Sequence, residues 1–486
     1  MQEKIKSYIT KMQNASAPVK AAFWFTVCSI INKCIQLITV PIFTRILTTT
    51  EYGQYSIFVS WQSILLIIAT LNIYSNVFNN GMIKYPQEQD KFLSSMQGLT
   101  TSITLVLMLV FLCFRKQLSE FIGLPVFLIL ILLVEIMLTP GYELWAAKQR
   151  FDFKYKKVVA STIALVVLNP LVGLLFVWVA REKGYARILS VLVVQIGIYG
   201  AIYLNNFKKN KTFYNKNFWK YALCLAIPLV PHYLSQTLLN QMDRIMISNL
   251  CGTDKAGIYS VAYSSAMILQ IVGKSIQSAF TPWIYKKINA GQTKEIKGVV
   301  NGLILLVGAM NFMLICLAPE VIAVLAGSKY AKAIYVIPPV TCSAYLIFVY
   351  SMFCTIEFYY EQTKAMMIVS VAGAAINYIT NDIFIKMYGY YAAGYTTLFC
   401  YLLFTIAHSF VMGRALKKQG YSNHIYDMSF ILLFSGAFIV FGVLMSAVYA
   451  HIVIRYSILA IMGLCIIINR DKLHDGLKNI LNKKNA

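Results

Sequence analysis

Charge is what this sequence has least of. Only 13% of its 486 residues are charged, and just 19 residues are Asp or Glu. A soluble globular chain carries about 25% charged residues, so the solvated surface of an ordinary soluble enzyme is excluded. Other absences are of motifs. No CxxC pair occurs among the ten cysteines, and most of them (Cys28, Cys34, Cys113, Cys224, Cys316, Cys342, Cys354, Cys400 and Cys465) sit inside apolar runs. Neither a disulfide framework nor a metal or redox site is expected from them, because a buried cysteine is usually a small hydrophobe. HExxH, GxSxG and the dinucleotide fingerprint are missing. GKS at 273–275 imitates the end of a phosphate loop, but Ile268 stands where that loop needs glycine, and the segment is apolar. No catalytic residue, metal or resident cofactor is expected, and ATP hydrolysis by this chain is excluded. A cleavable signal is not expected either, since the first apolar run begins only near Ala21 and is too long.

What the sequence has in abundance is apolar length. Hydrophobic residues make up 58% of it, with a mean hydropathy of +0.64. This excludes disorder and indicates a chain that crosses a bilayer repeatedly, at about 20 apolar residues per helix. The apolar runs predict fourteen spans, at roughly 21–47, 54–78, 97–114, 125–146, 158–180, 186–204, 220–248, 257–283, 298–318, 333–356, 365–386, 390–412, 428–448 and 452–469. The expected fold is therefore an all-α membrane protein of about 14 transmembrane helices.

The formal net charge is +24. In a soluble chain that would suggest nucleic acid. In a membrane chain, basic residues crowd the cytoplasmic loops, and no nucleic-acid partner is expected. Alternating the fourteen spans from a cytoplasmic N-terminus puts most lysines and arginines on one side, richest in KQRFDFKYKK (148–157) and NNFKKNKTFYNK (205–216). Both termini are therefore expected in the cytoplasm. Ile5, Tyr8, Ile9 and Met12, and again Leu473, Leu477, Ile480 and Leu481, recur at helical spacing. They mark short amphipathic surface helices or frayed tails.

The chain also repeats itself. RILTTTEYGQYS (45–56) follows span 1 and RIMISNLCGTDKAGIYS (244–260) follows span 7, each with a lysine (Lys20, Lys220) some seven turns earlier. The expected organisation is a cytoplasmic N-terminal segment at 1–20, an N-lobe of helices 1–6 at 21–204 and a basic cytoplasmic linker at 205–219. A C-lobe of helices 7–12 at 220–412, helices 13–14 at 428–469 and a basic cytoplasmic tail at 470–486 complete it. An even number of spans per lobe makes the two pseudo-symmetric six-helix lobes parallel repeats, and transporters built this way hold substrate between lobes near the midplane.

The outside loops are too short for a soluble domain, so function must live among the helices. Span 1 carries Thr26, Ser29, Lys33 and Gln36 on one face, and span 7 carries His232, Gln236, Asn240 and Asp243 on one face. Span 2 offers Ser56, Ser60, Ser63 and Thr70, and span 8 offers Ser260, Ser264, Gln270, Lys274 and Gln277. These four spans are expected to line a polar cavity. Lys33 lies mid-span, where a charge is costly unless paired or facing water. Its alternative is a structural pair with Asp243 or Glu135. Lys274 lies in the inner half of span 8, where snorkelling competes with a cavity role. Arg45 and Arg244 are either snorkelling anchors or, being repeated, a shared part of an outer gate. Asp243 and Glu135 either bind a coupling ion or pair with nearby bases. Pro228, Pro231, Pro170, Pro282 and the pair Pro338–Pro339 mark possible kinks.

FTRILTTTEYGQYS, QMDRIMISNLCGTDKAGIYSVAY and the basic loop ELWAAKQRFDFKYK resemble, in order and spacing, the polysaccharide transporter family. That family belongs to the multidrug/oligosaccharidyl-lipid/polysaccharide (MOP) exporter superfamily. The resemblance implies a flippase for polyprenyl-pyrophosphate-linked oligosaccharide units, precursors of O-antigen or capsule, in the bacterial cytoplasmic membrane. It implies alternating access through a cationic cavity between the lobes. Lys33 and Lys274 would be head-group contacts there, and the last two spans would form a groove for the lipid tail. Coupling to H+ or Na+, and partnership with a polysaccharide polymerase and glycosyltransferases, belong to the same expectation. The rival reading is a cation-coupled multidrug exporter of the same superfamily. An enzyme is disfavoured by the short outer loops.

Overall fold

The computed structural model describes residues 17–420 and 425–468, with the side chains of much of 17–37, of Asn76 and of 465–467 excepted. The amphipathic segments expected at the two termini lie outside the described residues. Every regular element described is a helix. Twelve helices among the described residues are long and apolar enough to cross a membrane. The two remaining expected spans fall on α1 (Ala17–Ile46) and α18 (Ile452–Ile468).

The chain forms two compact units, dividing between Ile245 and Met246. The first unit begins with α1, followed by α2 (Thr49–Thr70), the short α3 (Asn76–Lys84), α4 (Gln89–Cys113), the short α5 (Arg115–Ile122), α6 (Val126–Phe151), α7 (Tyr155–Val179) and α8 (Lys183–Lys209). Next come α9 (Lys216–Ala226), a 3-10 turn at Ile227–Leu229, and α10 (Val230–Cys251), inside which the division falls. The second unit continues with α11 (Thr253–Asn289), α12 (Lys294–Cys316), the short α13 (Ala318–Leu325), a 3-10 turn at Ser328–Tyr335, and α14 (Ile337–Tyr359). It ends with α15 (Thr363–Tyr388), α16 (Ala392–Lys418), α17 (Met428–Leu444) and α18.

The sequence repeat has a structural counterpart inside each unit. In the first, α4 packs on α6, α6 on α8 and α7 on α8; in the second, α12 packs on α14, α14 on α16 and α15 on α16. A short helix sits at the same place in each, α5 between α4 and α6 and α13 between α12 and α14. One difference stands out. The expected second span, 54–78, is interrupted: α2 ends at Thr70, and Leu71 and Asn72 take the left-handed conformation, φ 48° and 51°. The Thr70 hydroxyl accepts the Asn72 N–H at 3.2 Å and supports the turn. The counterpart α11 runs 37 residues without a break.

Local chemistry explains the joints. Only Leu47 and Thr48 separate α1 from α2. Leu47 is fully buried, and Thr48 closes a capping box with Glu51, its hydroxyl accepting the Glu51 N–H while the carboxylate accepts the Thr48 N–H at 2.8 Å. Pro228 and Pro231 lack the N–H that an uninterrupted helix would need, and the 3-10 turn lies at that point. Pro170 and Pro282 lie inside α7 and α11, whereas Pro338 and Pro339 occupy the first turn of α14, where the missing N–H costs nothing.

Packing is dense where helices meet and open where lipid would lie. Phe78, Phe92 and Met82 form a core with Phe218, Ala222 and Ala226 of α9, one face of that helix. Trp61, Ile64, Leu128, Leu132, Ile188 and Leu192 form a second, which Leu234, Leu238 and Ile245 of α10 complete. A Cβ on Gly98 would come within 2.1 Å of the Phe213 carbonyl, so glycine is what allows the basic loop at 210–215 to lie on α4. By contrast, Leu171, Leu175, Trp178 and Val179 of α7 are exposed, as expected of a helix bathed in hydrocarbon.

The last two helices dock on the second unit. α17 packs on α12 and α14, with Tyr345 and Phe438 ring centroids 4.3 Å apart and a Tyr345–Ser435 hydroxyl hydrogen bond of 2.9 Å. α18 is held by Arg455, which is buried and forks onto both Glu320 carboxylate oxygens at 2.7 and 2.8 Å while donating to the Cys316 carbonyl at 2.9 Å. The guanidinium holds the Glu320 carboxyl below its ordinary value of 4.5, against partial burial. A depressed folded value contributes stability that is full above the ordinary value and is lost as pH falls through the folded one. Glu320→Gln is therefore expected to lower the thermal unfolding midpoint at neutral pH, with the difference from wild type closing in acid, as scanning fluorimetry in detergent across pH would record.

Candidate functional site

The polar side chains of the membrane helices fall into two kinds. Some satisfy themselves within their own helix. Ser63 and Thr70 of α2 donate to the carbonyls of Val59 and Leu66 at 2.8 and 2.7 Å. Others reach across to a neighbouring helix, and these define the candidate site.

Glu135 is the centre of such a network in the first unit. It is 2% exposed on α6. Its Oε1 accepts the Thr139 hydroxyl at 2.7 Å and its Oε2 accepts Gln62 Nε2 at 3.1 Å from α2. Gln62 Nε2 also approaches Gln195 Oε1 of α8 at 3.4 Å. Among the described side chains Glu135 therefore meets an amide and a hydroxyl, both neutral. A carboxyl so placed is a group that a proton or small cation would neutralise.

A second network involves the repeated arginines. Arg244 is buried, and its Nη1 donates to the Asn240 carbonyl at 2.9 Å and to Gln241 Oε1 at 2.7 Å. Gln241 Oε1 also accepts the Ser60 hydroxyl at 3.2 Å, tying α10 to α2. Arg45 is exposed, and its Nη1 donates to the Pro41 carbonyl at 3.1 Å. Both arginines fold back onto the carbonyl four residues earlier, so the repeat extends to side-chain geometry. Asp243 is buried beside Arg244.

The other residues named from sequence are placed as follows. His232, Gln236 and Asn240 are half-buried on α10, and Asn240 Nδ2 donates to the Gln236 carbonyl at 2.7 Å. Gln277 of α11 reaches α14, donating to the Ser351 carbonyl at 2.9 Å. Lys274 is exposed one turn before it. Ser29, Lys33 and Gln36 lie on α1, but their side chains are outside the described residues.

Sequence reasoning missed several members. Gln62 lies off the serine stripe of span 2, and Gln195 had no charged neighbour to draw notice. Arg187, at the start of span 6, is buried, with its guanidinium 4.0 Å from the Phe43 ring centroid and Nη1 donating to the Asn169 carbonyl at 3.0 Å. In the second unit, Asn377, Asn381 and Thr396 form a buried polar cluster, with Asn381 Nδ2 donating to Asn377 Oδ1 at 3.2 Å and the Thr396 hydroxyl bonded to Asn381. Pro339, Gly394 and Ala393 pack where α14 meets α16 just beside it.

Comparison with known proteins gives this geometry a context. The family described as polysaccharide biosynthesis protein matches residues 19–287, more than half of the chain. A second family, MatE, matches residues 228–383. The Lsg locus putative protein 1 of Haemophilus influenzae is 24% identical over 202 residues, 39% of this chain and 49% of that protein. The chain thus spans about half the length of that relative. An uncharacterized membrane protein of the same organism is 23% identical over 353 residues, 71% of this chain and 84% of that one. Among solved structures, the lipid II flippase MurJ in an inward closed conformation superposes with a TM-score of 0.65 at 14% identity, covering 92% of this chain and 99% of that one. An inward-facing MATE family multidrug resistance transporter of the MOP superfamily gives 0.61 at 13% identity, covering 83% and 100%. At these identities the likeness is one of fold.

The Glu135 network makes a direct prediction. Glu135→Leu removes the shorter acceptor of the Gln62 amide, leaving it the 3.4 Å approach to Gln195, while Thr139 keeps the Glu135 carbonyl at 3.0 Å; it should cost about 1 kcal/mol, whereas Glu135→Gln keeps an acceptor and should unfold close to wild type. Thermal unfolding of the purified variants in detergent distinguishes the two.

Proposed function

The chain belongs to the polysaccharide biosynthesis protein family, and from that premise we propose that it is a multi-pass membrane transporter of the MOP superfamily and a lipid-linked oligosaccharide flippase. On this reading it carries undecaprenyl-pyrophosphate-linked repeat units from the inner to the outer leaflet of the bacterial cytoplasmic membrane by alternating access, for O-antigen or capsule assembly. The observation that carries the reading is the family match over residues 19–287. Both termini lie in the cytoplasm on this reading, which puts the basic loops at 148–157 and 205–216 on the side where the glycan is assembled.

The chemistry of the cargo fits a chain short of acids. A pyrophosphate carries about two negative charges, which basic and amide side chains can hold in a low-dielectric setting. Lys33 and Lys274 are the head-group contacts of this proposal, with Arg45 and Arg244 as further basic groups. Ser29, Gln36, His232, Gln236, Asn240 and Gln277 are its hydrogen-bonding groups for sugar. A positive outside would favour exit of two uncompensated charges by about 4–5 kcal/mol per 100 mV. Proton or sodium exchange at Glu135 or Asp243 would reset the carrier. A polysaccharide polymerase and glycosyltransferases are the partners that would consume and supply the cargo. No step of this cycle makes or breaks a covalent bond. The second reading, a cation-coupled drug exporter, draws on the MatE match over residues 228–383, but cationic drugs call for acidic contacts.

The test uses a strain that assembles the lipid-linked glycan, lacks this protein and has no redundant flippase. The glycan should accumulate on the cytoplasmic face, and wild type should relieve it. Lys33→Ala, at matched membrane levels, should transport at least about tenfold less, the worth of one charge-assisted hydrogen bond. Relief by both would remove Lys33 from the mechanism. Normal outer-face delivery without the protein would sink the flippase reading and favour drug export.

A further inference from the structure

The second unit holds a side-chain cluster that the transport reading does not use. Cys354 and Glu357 lie one turn apart on α14, and His408 faces them from α16. They are 7%, 0% and 2% exposed. His408 Nδ1 lies 2.9 and 3.1 Å from the two Glu357 carboxylate oxygens and 3.4 Å from Cys354 Sγ. The imidazole is held in place: Tyr350 stacks on it at 5.3 Å and 17°, and Phe404 lies at 5.7 Å. Tyr426 covers the same stretch of α14, donating to the Met352 carbonyl at 2.9 Å.

One ring nitrogen thus meets a thiol and both oxygens of a carboxylate in a site closed to solvent. A single N–H can satisfy one such partner well, whereas a cation would satisfy all three. The donor atoms lie within 4.8 Å of one another. That suits a tetrahedral ion with bonds of about 2.0–2.3 Å, whose adjacent ligands stand about 3.3–3.8 Å apart. Thiolate, imidazole and carboxylate together favour zinc or a similar late divalent metal over sodium, magnesium or calcium, which prefer oxygen alone. A thiolate and a carboxylate also balance a divalent charge, so the loaded site is neutral in a low-dielectric interior.

Comparison with the first unit shows that packing does not demand these donors. There Tyr142 stacks on Tyr199 at 4.8 Å and 26°, as Tyr350 does on His408. Four and seven residues beyond Tyr142 stand Ala146 and Gln149, where the same steps from Tyr350 reach Cys354 and Glu357. The stack belongs to the shared scaffold, and the three donors are peculiar to the second unit. The sequence argument against a metal rested on the lack of paired cysteines. It could not see ligands 51 and 54 positions apart.

We propose that Cys354, Glu357 and His408 bind one zinc-class divalent cation, which staples α14 to α16. The site would hold whatever the chain transports. Ligand atoms bind a metal only when deprotonated, so affinity should fall as pH drops.

The test is cobalt loading of the full-length protein, purified in detergent and stripped with a chelator. The proposal expects about one cobalt per chain in tetrahedral, thiolate-bearing coordination, seen as a near-ultraviolet sulfur-to-cobalt charge-transfer band that zinc abolishes. Cys354→Ala should lose that band and His408→Ala should lose stoichiometric binding. Cys342→Ala, a buried cysteine on the same helix, should keep both. Absence of the band in wild type overturns the proposal, and this arm decides even if a variant fails to fold. A band that survives in both Cys354→Ala and His408→Ala overturns it equally.

Discussion

Inside hydrocarbon a polar side chain has only the protein to turn to. This constraint organises the whole molecule. Hydroxyls meet it cheaply, by donating to a carbonyl one turn back, as Ser60, Ser63, Thr70, Ser235 and Thr405 do. Several longer or charged groups find a partner on another helix. Glu135 ties α6 to α2, Gln241 ties α10 to α2, Gln277 ties α11 to α14, and Arg455 ties α18 to Glu320 on α13. Apolar packing holds each unit together, while these few polar contacts decide which helices must be neighbours.

The two units show how far a duplicated scaffold can diverge in chemistry. Their third to sixth helices pack in the same pairs, and a short helix follows the third in each. Yet the buried polar groups differ. The first unit buries a carboxyl among amides and hydroxyls, and the second buries a carboxyl against an imidazole and a thiol. Similarity of helices therefore says little about similarity of sites.

The helices were legible because twenty-residue apolar runs leave few alternatives, and the repeat was legible because Arg-Ile followed by Gly-x-Tyr-Ser occurs twice, across a longer loop in the second copy. The break at 71–75 was not, since no glycine or proline marks it; Thr70 and two left-handed residues make it. α5 and α13 were read as loops because eight residues are too short for periodicity to speak. Among site residues, Glu135 announced itself as a mid-span charge. Its partners did not, because Gln62 and Gln195 stand 133 positions apart and are joined only by packing. Cys354 and His408 were invisible for the same reason.

The two-residue joint between α1 and α2 fixes more than a turn. With Leu47 buried and Thr48 capping α2 through Glu51, the phase of α2 about its own axis is set from its first residue. Adding or deleting one residue there would rotate α2 by about 100° and slide it by about 1.5 Å. Gln62 would then point away from Glu135, and Ser60 away from Gln241. The length of this joint is thus a chemical parameter of the buried networks fifteen residues downstream, although none of its own atoms takes part in them.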